Sequence, residues 1–286
     1  MKIGVVYPQT ELRGDPDAVR RIGLATEALG YDHLLAYDHV VGASHDREPK
    51  LWGPYTEHHP FHDPFVLFAY IAGMTSRIEL VTGVLILPQR QTVLVAKQCA
   101  DLDLLSGERL RLGVGVGWNY VEYDALGQDF AVRGPRADEQ IGFLRTLWAE
   151  PLVTFEGAYD RIDRGNILPR PNRSIPIWVG GFGPPAFRRG GRLGDGFIFA
   201  ANAEVGATGL AAVHEQLRLA GRPTEGYGAD LVMLRAKSVD DALATIDAWE
   251  AAGGTHASVV SVGMGLDSTE AHLDFIGQVA SRLGRA

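Results

Sequence analysis

Pro176-Ile177-Trp178-Val179-Gly180-Gly181-Phe182-Gly183-Pro184-Pro185 is an apolar run that breaks on glycine and restarts on proline, and one helix-length later comes Gly194-Asp195-Gly196-Phe197-Ile198-Phe199. Residues 176–179 and 196–199 read as strands. Residues 184–193 read as the helix between them, with proline in the first turn, where its missing N–H costs nothing. Strand, helix and strand in this spacing form a repeat of a parallel sheet. Working outward, six further runs match, at residues 2–7, 33–37, 78–84, 110–114, 229–235 and 257–261. Several are rich in Val, Ile and Leu without polar alternation, as strands covered on both faces require.

The helices between them carry start and stop signals. Asp15-Pro16 opens a segment that ends at Gly30, Thr92 opens one that ends at Gly107, and Ser238 opens one that ends at Gly253-Gly254. Eight strand–helix units with little room for linkers predict one domain over residues 1–286, an α/β TIM (β/α)8 barrel. Two long intervals place insertions after strand 2 and between strands 4 and 5. The first contains residues 42–62, too polar and proline-rich for a helix; the second holds a helix over 136–149 and a hairpin-like stretch over 153–159.

Composition narrows the function classes. Lys plus Arg number 27 against 35 Asp plus Glu, a formal charge of −8, which disfavours electrostatic nucleic-acid binding. With 46% hydrophobic and 22% charged residues, the 286-residue chain has the make-up of a globular protein with a sizeable core. The lone Cys99 excludes an intramolecular disulfide or a cysteine metal cage and fits a reducing compartment. The apolar opening of the chain is too short for a signal-peptide core, and no apolar run approaches the roughly 20 residues of a spanning helix. A cytoplasmic location, without membrane or nucleic-acid partners, is the expectation.

Barrel sites form where strands end, so those residues are the ones to inspect. The first strand ends at Tyr7, the second at Asp38-His39, the third at Thr82-Gly83-Val84, the fourth at Gly115-Val116-Gly117-Trp118-Asn119, and the fifth at Gly180-Gly181-Phe182-Gly183. Imidazole titrates near neutral pH, which makes His39 an acid–base candidate. The glycine run reads equally as a tight turn or as a phosphate cradle at a helix N-terminus. Gly113-Val114-Gly115-Val116-Gly117-Trp118 lacks the last glycine of a dinucleotide fingerprint. His58, His59, His62 and Asp63 are of metal-ligating type, but no His-x-His ends the first strand and Pro60 interrupts a helical arrangement. No metal is expected, and the insertion reads instead as a ligand-covering loop. Neither a Gly-x-Ser-x-Gly elbow nor a Walker Gly-Lys-Ser/Thr occurs.

Taken in order, Lys2-Ile3-Gly4-Val5, Tyr37-Asp38-His39, Leu80 to Leu85, Leu112 to Asn119, Arg136-Ala137-Asp138-Glu139, Trp178 to Gly181 and Gly194 to Phe197 resemble the bacterial luciferase-like superfamily of flavin and deazaflavin oxidoreductases. The likeness is strongest to members that use coenzyme F420, and it covers nearly the whole chain. It implies a flat redox ring seated on a third-strand bulge at Thr82, Gly83 and Val84, often with a non-proline cis peptide. It further implies that Asp38 hydrogen-bonds the ring, that His39 faces substrate, that Gly115 and Asn119 complete the cofactor wall, and that Gly180, Gly181, Phe182 and Gly183 hold its phosphate. Tyr7, Trp52, Tyr55 and Trp118 are the expected substrate pocket.

One departure matters. Sugar-phosphate and alcohol dehydrogenases of this family carry a proton-transferring Glu where this chain has Trp118, so that role falls to His39, Glu122 or Tyr7. The resemblance then implies hydride transfer between F420 and a small apolar or aromatic substrate, by an enzyme whose partners are a small-molecule substrate and a second copy of itself as a homodimer. An FMN-dependent monooxygenase is the alternative within the family. A metal-dependent barrel hydrolase and a non-catalytic flavin-binding protein are the alternatives outside it.

Overall fold

The computed structural model describes residues 1–234 and 236–285. Its strands are β1 (Lys2–Val6), β2 (His33–Ala36), β3 (Glu79–Thr82), β4 (Leu85–Ile86), β5 (Leu110–Gly115), β6 (Val153–Glu156), β7 (Arg161–Gly165), β8 (Ile177–Gly180), β9 (Gly196–Ala201), β10 (Gly228–Met233) and β11 (His256–Val259). Hydrogen bonding runs β3-β2-β1-β11-β10-β9-β8-β5, and a β3–β5 pairing closes the ring. All these ladders are parallel. The result is a TIM barrel with β4 as a continuation of the third barrel strand, paired to β5.

All eight strand expectations fall on barrel strands. Most shift by one or two residues at an end, and two of these corrections bear on the site. Residues 78–84 were expected as one strand, but the chain leaves the ladder after Thr82 and rejoins it at Leu85. Residues 229–235 were expected as another; the strand ends at Met233, and Arg235 lies outside the described residues, as does Ala286 at the end of the expected domain.

The helices start where side chains can satisfy free N–H groups. Asp15 accepts from Asp17 N–H at the start of α1 (Pro16–Ala28), and Asp63 accepts from Phe65 and Val66 N–H at the start of α2 (Pro64–Ala72). Each such cap contributes about 1 kcal/mol. α3 (Thr92–Ser106) stops at Gly107, whose φ of 75° suits glycine. The second insertion carries α4 (Tyr120–Ala125), α5 (Arg133–Ala149) and the β6–β7 hairpin, which reaches farther than the expected 153–159. The outer ring continues with α6 (Gly183–Leu193), α7 (Ala203–Leu219), α8 (Val239–Ala251) and α9 (Thr269–Arg282). No helix among the described residues is long and apolar enough to cross a membrane.

Strand alternation sorts side chains into two layers. One face, including Val5, Leu34, Leu80 and Leu112, packs into the main core cluster. The other sends Val6, Leu35, Val81, Trp178, Ile198 and Val232 into a smaller inner cluster. Toward the strand starts the interior holds charge instead: His33 Nε2 lies 2.8 Å from Ser258 Oγ, which donates to Asp230 at 3.0 Å. Arg111 reaches Asp230 at 3.2 Å and lies over the Trp178 ring, 4.3 Å from its centroid. The carboxylate and the aromatic face together offset part of the cost of burying the cation. This end of the barrel is therefore filled, and any ligand space lies at the other.

Candidate active site

At the carboxyl ends of the strands lies a cavity of about 410 Å³. Tyr37 to His39 enter it from β2, Gly83 and Val84 from the third strand, Gly115 to Trp118 from β5, and Gly180 to Phe182 from β8; Ile198, Ala200, Val232 and Leu234 close the far side. Pro54 and Tyr55 reach in from the first insertion. A pocket of this size, chiefly apolar with a few convergent polar groups, suits a small organic ligand.

The interruption of the third strand shapes the floor. The Gly83–Val84 peptide is cis, the feature implied there by the family resemblance. A Cβ on Gly83 would lie 2.3 Å from Leu35 Cδ2, so this backbone runs against the inner core with no room for a side chain. Val84 then points across the barrel mouth, where a Cβ on Gly115 would come within 2.5 Å of one of its methyls and a Cβ on Gly180 within 2.7 Å of the other. The two glycines, on β5 and β8, clear the space Val84 fills.

The glycine run after β8 enters α6 directly. Gly181 has φ 141° and Gly183 φ 77°, conformations that disfavour side chains. Among the described residues the N–H groups of Phe182 and Gly183 make no turn or cap hydrogen bond. Phe182 is 77% exposed. An anion could meet these donors where the helix dipole also favours it.

His39 is caged by rings. Tyr55, Phe61 and Trp118 meet it edge-on, with centroids at 5.3, 4.9 and 5.5 Å. Its Nδ1 lies 3.0 Å from Glu122 Oε1. Glu122 is buried and also accepts from Val40 N–H, Val41 N–H and the Gln89 amide. Burial alone would raise its carboxyl pKa, but the hydrogen bonds from His39, Gln89 and Val41, with the charge attraction of His39, outweigh it and hold the group below its ordinary value. Burial also pushes the Tyr55 hydroxyl up to about 12, so it stays protonated at neutral pH.

Other expected site residues sit apart from the cavity wall. Tyr7 is fully buried in the main core cluster, its ring 6.5 Å from that of His62. Trp52 is 77% exposed and Thr82 is fully buried, its hydroxyl donated to Gly113 C=O at 2.7 Å. Asn119 caps α4 through Val121 N–H and donates to Val41 C=O, which uses both ends of its amide within the protein. Gly183 is the first residue of α6, one step beyond the lining. Asp38 does line the cavity, but its side chain has no exposed surface: Oδ1 accepts from Arg90 and Oδ2 from Ile86 N–H. The ring contact expected of Asp38 therefore has no free oxygen facing it.

Tyr37, Val116 and Gly117 stand in the strand-end motifs without an expected role, and Pro54, Ile86, Ile198, Ala200, Val232 and Leu234 carry no sequence expectation as site residues. For the last four, phase along β9 and β10 was the available signal, since alternate residues share a face. Among the described residues no group of three or more His, Cys, Asp or Glu is placed to hold a metal. His59 Nδ1 instead accepts from Thr56 N–H, and Asp63 pairs with Arg90 at 2.9 Å.

The family model described as luciferase-like monooxygenase matches residues 1–276. The chain belongs to that family. An uncharacterized protein of Mycobacterium tuberculosis is 35% identical to this luciferase-like chain over 179 residues, 61% of this chain and 62% of that one. An F420-dependent glucose-6-phosphate dehydrogenase of Kineococcus radiotolerans is 31% identical over 233 residues, 79% of this chain and 65% of that one. These alignments thus span somewhat under two thirds of the relatives' own length. Among solved structures, an F420-dependent secondary alcohol dehydrogenase in complex with an F420–acetone adduct superposes with a TM-score of 0.78 at 18% identity, covering 97% of each chain. That likeness shows the fold of the luciferase-like chain.

Proposed function

We propose that this chain is an F420-dependent oxidoreductase that exchanges hydride with a small apolar or aromatic organic substrate. The observation that carries the reading is the cavity itself: a floor of Gly83 and Val84, a glycine run with free N–H groups on one side, and His39 on the other. The F420 dependence of the Kineococcus relative and of the solved dehydrogenase supports the choice of cofactor.

Gly83, Val84 and Gly115 would hold the ring, and the N–H groups of Phe182 and Gly183 its phosphate. A deazaflavin bound there would supply the hydride chemistry at C5. His39 takes or gives the accompanying proton at the nitrogen that Glu122 does not hold. Tyr55 and Trp118 exclude water and position the substrate against that nitrogen, while Phe61 packs on the His39 ring. Those aromatic walls favour an uncharged, apolar partner. Among the described residues lining the cavity there is no Lys or Arg to receive a phosphorylated sugar.

An FMN-dependent monooxygenase is the second reading, favoured by the description of the family model. Titration of the purified protein with F420 and with FMN, each followed by its own absorbance or emission, separates the two. Saturable F420 binding with weaker or no FMN binding is expected; tight FMN binding alone would replace the proposal with its alternative. Homodimer formation, carried from the family resemblance, belongs to the same proposal and is checked by the mass in solution from light scattering.

A further inference from the structure

We infer that Glu122 is the positioning residue of this site, fixing which nitrogen of His39 carries the proton and holding the charge when the ring takes a second one. The inference deepens the proposed function and rests on it for the use of His39, though its test does not. Where the family resemblance leads one to expect a carboxylate beside the reacting group, this chain has Trp118, an indole with no proton to exchange. The structure supplies a carboxylate from the next turn, but behind His39.

The geometry decides the roles. Glu122 Oε1 accepts from Val40 N–H at 3.0 Å and Val41 N–H at 3.2 Å and lies 3.0 Å from His39 Nδ1, while Oε2 accepts from the Gln89 amide at 3.1 Å. Two of these four contacts come from backbone N–H groups, which can only donate, and Gln89 turns its NH2 to the other oxygen, so the acid is held ionised. An ionised carboxylate only accepts, and Nδ1 must therefore bear hydrogen. Nε2 is left as the acceptor of the neutral ring. It has no hydrogen-bond partner among the described residues and is not among the covered orphan atoms, so it opens toward the cavity that His39 lines. Glu122 is 1% exposed and does not line that cavity, which bars it from meeting substrate itself.

When Nε2 takes a proton, the ring becomes imidazolium with Glu122 at its back. The other groups facing the ring are Tyr55 and Phe61 from the insertion and Trp118 from the end of β5. Only Tyr55 is titratable, and it stays neutral. The neighbouring Asp38 is spent on Arg90 and Ile86 N–H. Glu122 is thus the one charge aimed at His39 among the described residues.

Glu122→Gln is a clean probe because the surroundings can accept it. The Gln carbonyl can take the place of Oε1, and its NH2 can be met by the Gln89 amide once flipped, since Gln89 Oε1 is buried without a partner. The readout is the ¹⁵N NMR titration of the His39 ring in the cofactor-free full chain. The wild-type neutral ring should be the Nδ1–H tautomer. Glu122→Gln should keep that tautomer and lower the titration midpoint relative to wild type, because it removes the one opposite charge facing the ring. Glu122→Ala should lower it too and release the tautomer. An Nε2–H tautomer in the wild type, or coincident midpoints in wild type and Glu122→Gln, would overturn the inference whatever the enzyme does. Should Glu122→Ala fail to fold, the Gln variant decides alone. If the NMR result is as expected and F420 does not bind, the proposed function fails and this assignment stands. Where F420 turnover is found, its low-pH limb should move with the NMR midpoint in Glu122→Gln while KM for the cofactor stays put.

Discussion

Asp38 gives one carboxylate oxygen to the Arg90 guanidinium at 2.8 Å and the other to Ile86 N–H at 2.9 Å, and none of its side chain reaches solvent. Arg90 also holds Asp63, the cap of α2, at 2.9 Å. The cluster thus ties the end of β2 to the residue where the first insertion returns to the barrel.

Breaking this pair should be costly. Arg90→Met leaves a buried, uncompensated carboxylate, and the expected loss is about 3–5 kcal/mol in urea unfolding. Adding Asp38→Asn should return part of it. A double variant no more stable than Arg90→Met would show that Asp38 is not the group Arg90 compensates.

The backbone at Gly83 should tolerate no side chain. Gly83→Ala sets a methyl 2.3 Å from Leu35 Cδ2, and overpacking of this kind costs about 1–3 kcal/mol. Thermal unfolding should show the loss, and F420 titration should show weaker binding, because the floor must move. Unchanged binding in a folded variant would remove Gly83 from the cofactor floor.

Gly53 bears on Trp118 from above. A Cβ there would come within 2.4 Å of the indole, so Gly53→Ala must displace the ring or the insertion. Gly53 is itself exposed, so stability should change little. The expected result is a several-fold rise in substrate KM with cofactor affinity retained. An unaltered KM would show that Trp118 does not wall the substrate.

Acid should loosen the filled end of the barrel through His256. Burial first, and the nearby Arg111 second, bring its pKa down from 6.5 to about 3. Above about pH 6.5 the ring is neutral whether the chain is folded or not. Between there and about pH 3 the unfolded chain takes the proton first, so stability falls as pH falls. Asp230 adds little down to about pH 4.5: burial would raise it, but His33 and Arg111 hold it far below the ordinary carboxylate range, so its own loss of stability begins at about pH 4, where the unfolded carboxylate starts to take its proton. Urea midpoints at pH 7 and pH 4.5 should therefore converge in His256→Gln relative to wild type. An equal drop in both proteins would rule the residue out.

Much of this was legible in the sequence because strand runs, helix caps and glycine stops are local signals. The runs from residue 2 to residue 261 located every barrel strand, and Asp15, Thr92 and Ser238 marked helix starts that the structure places at those residues or directly after them. The misplacements have one physical cause. A strand end shows which residues lie near the mouth but not which of two neighbours faces in, and Tyr7 follows the inward-facing Val6 and so turns outward. Partners distant in sequence were also hidden. Nothing local says that the oxygens of Asp38 go to Ile86 and Arg90, or that Asn119 spends its amide on Val41. Glu122 had a weak signal, since Asn119-Tyr120-Val121-Glu122 has the spacing of a capping box, yet its carboxylate goes to His39 instead of back to the cap.

The packed charges of His33, Arg111 and Asp230 make the barrel a well with one rim. Whatever enters the cavity must therefore come and go by the side where the strands end.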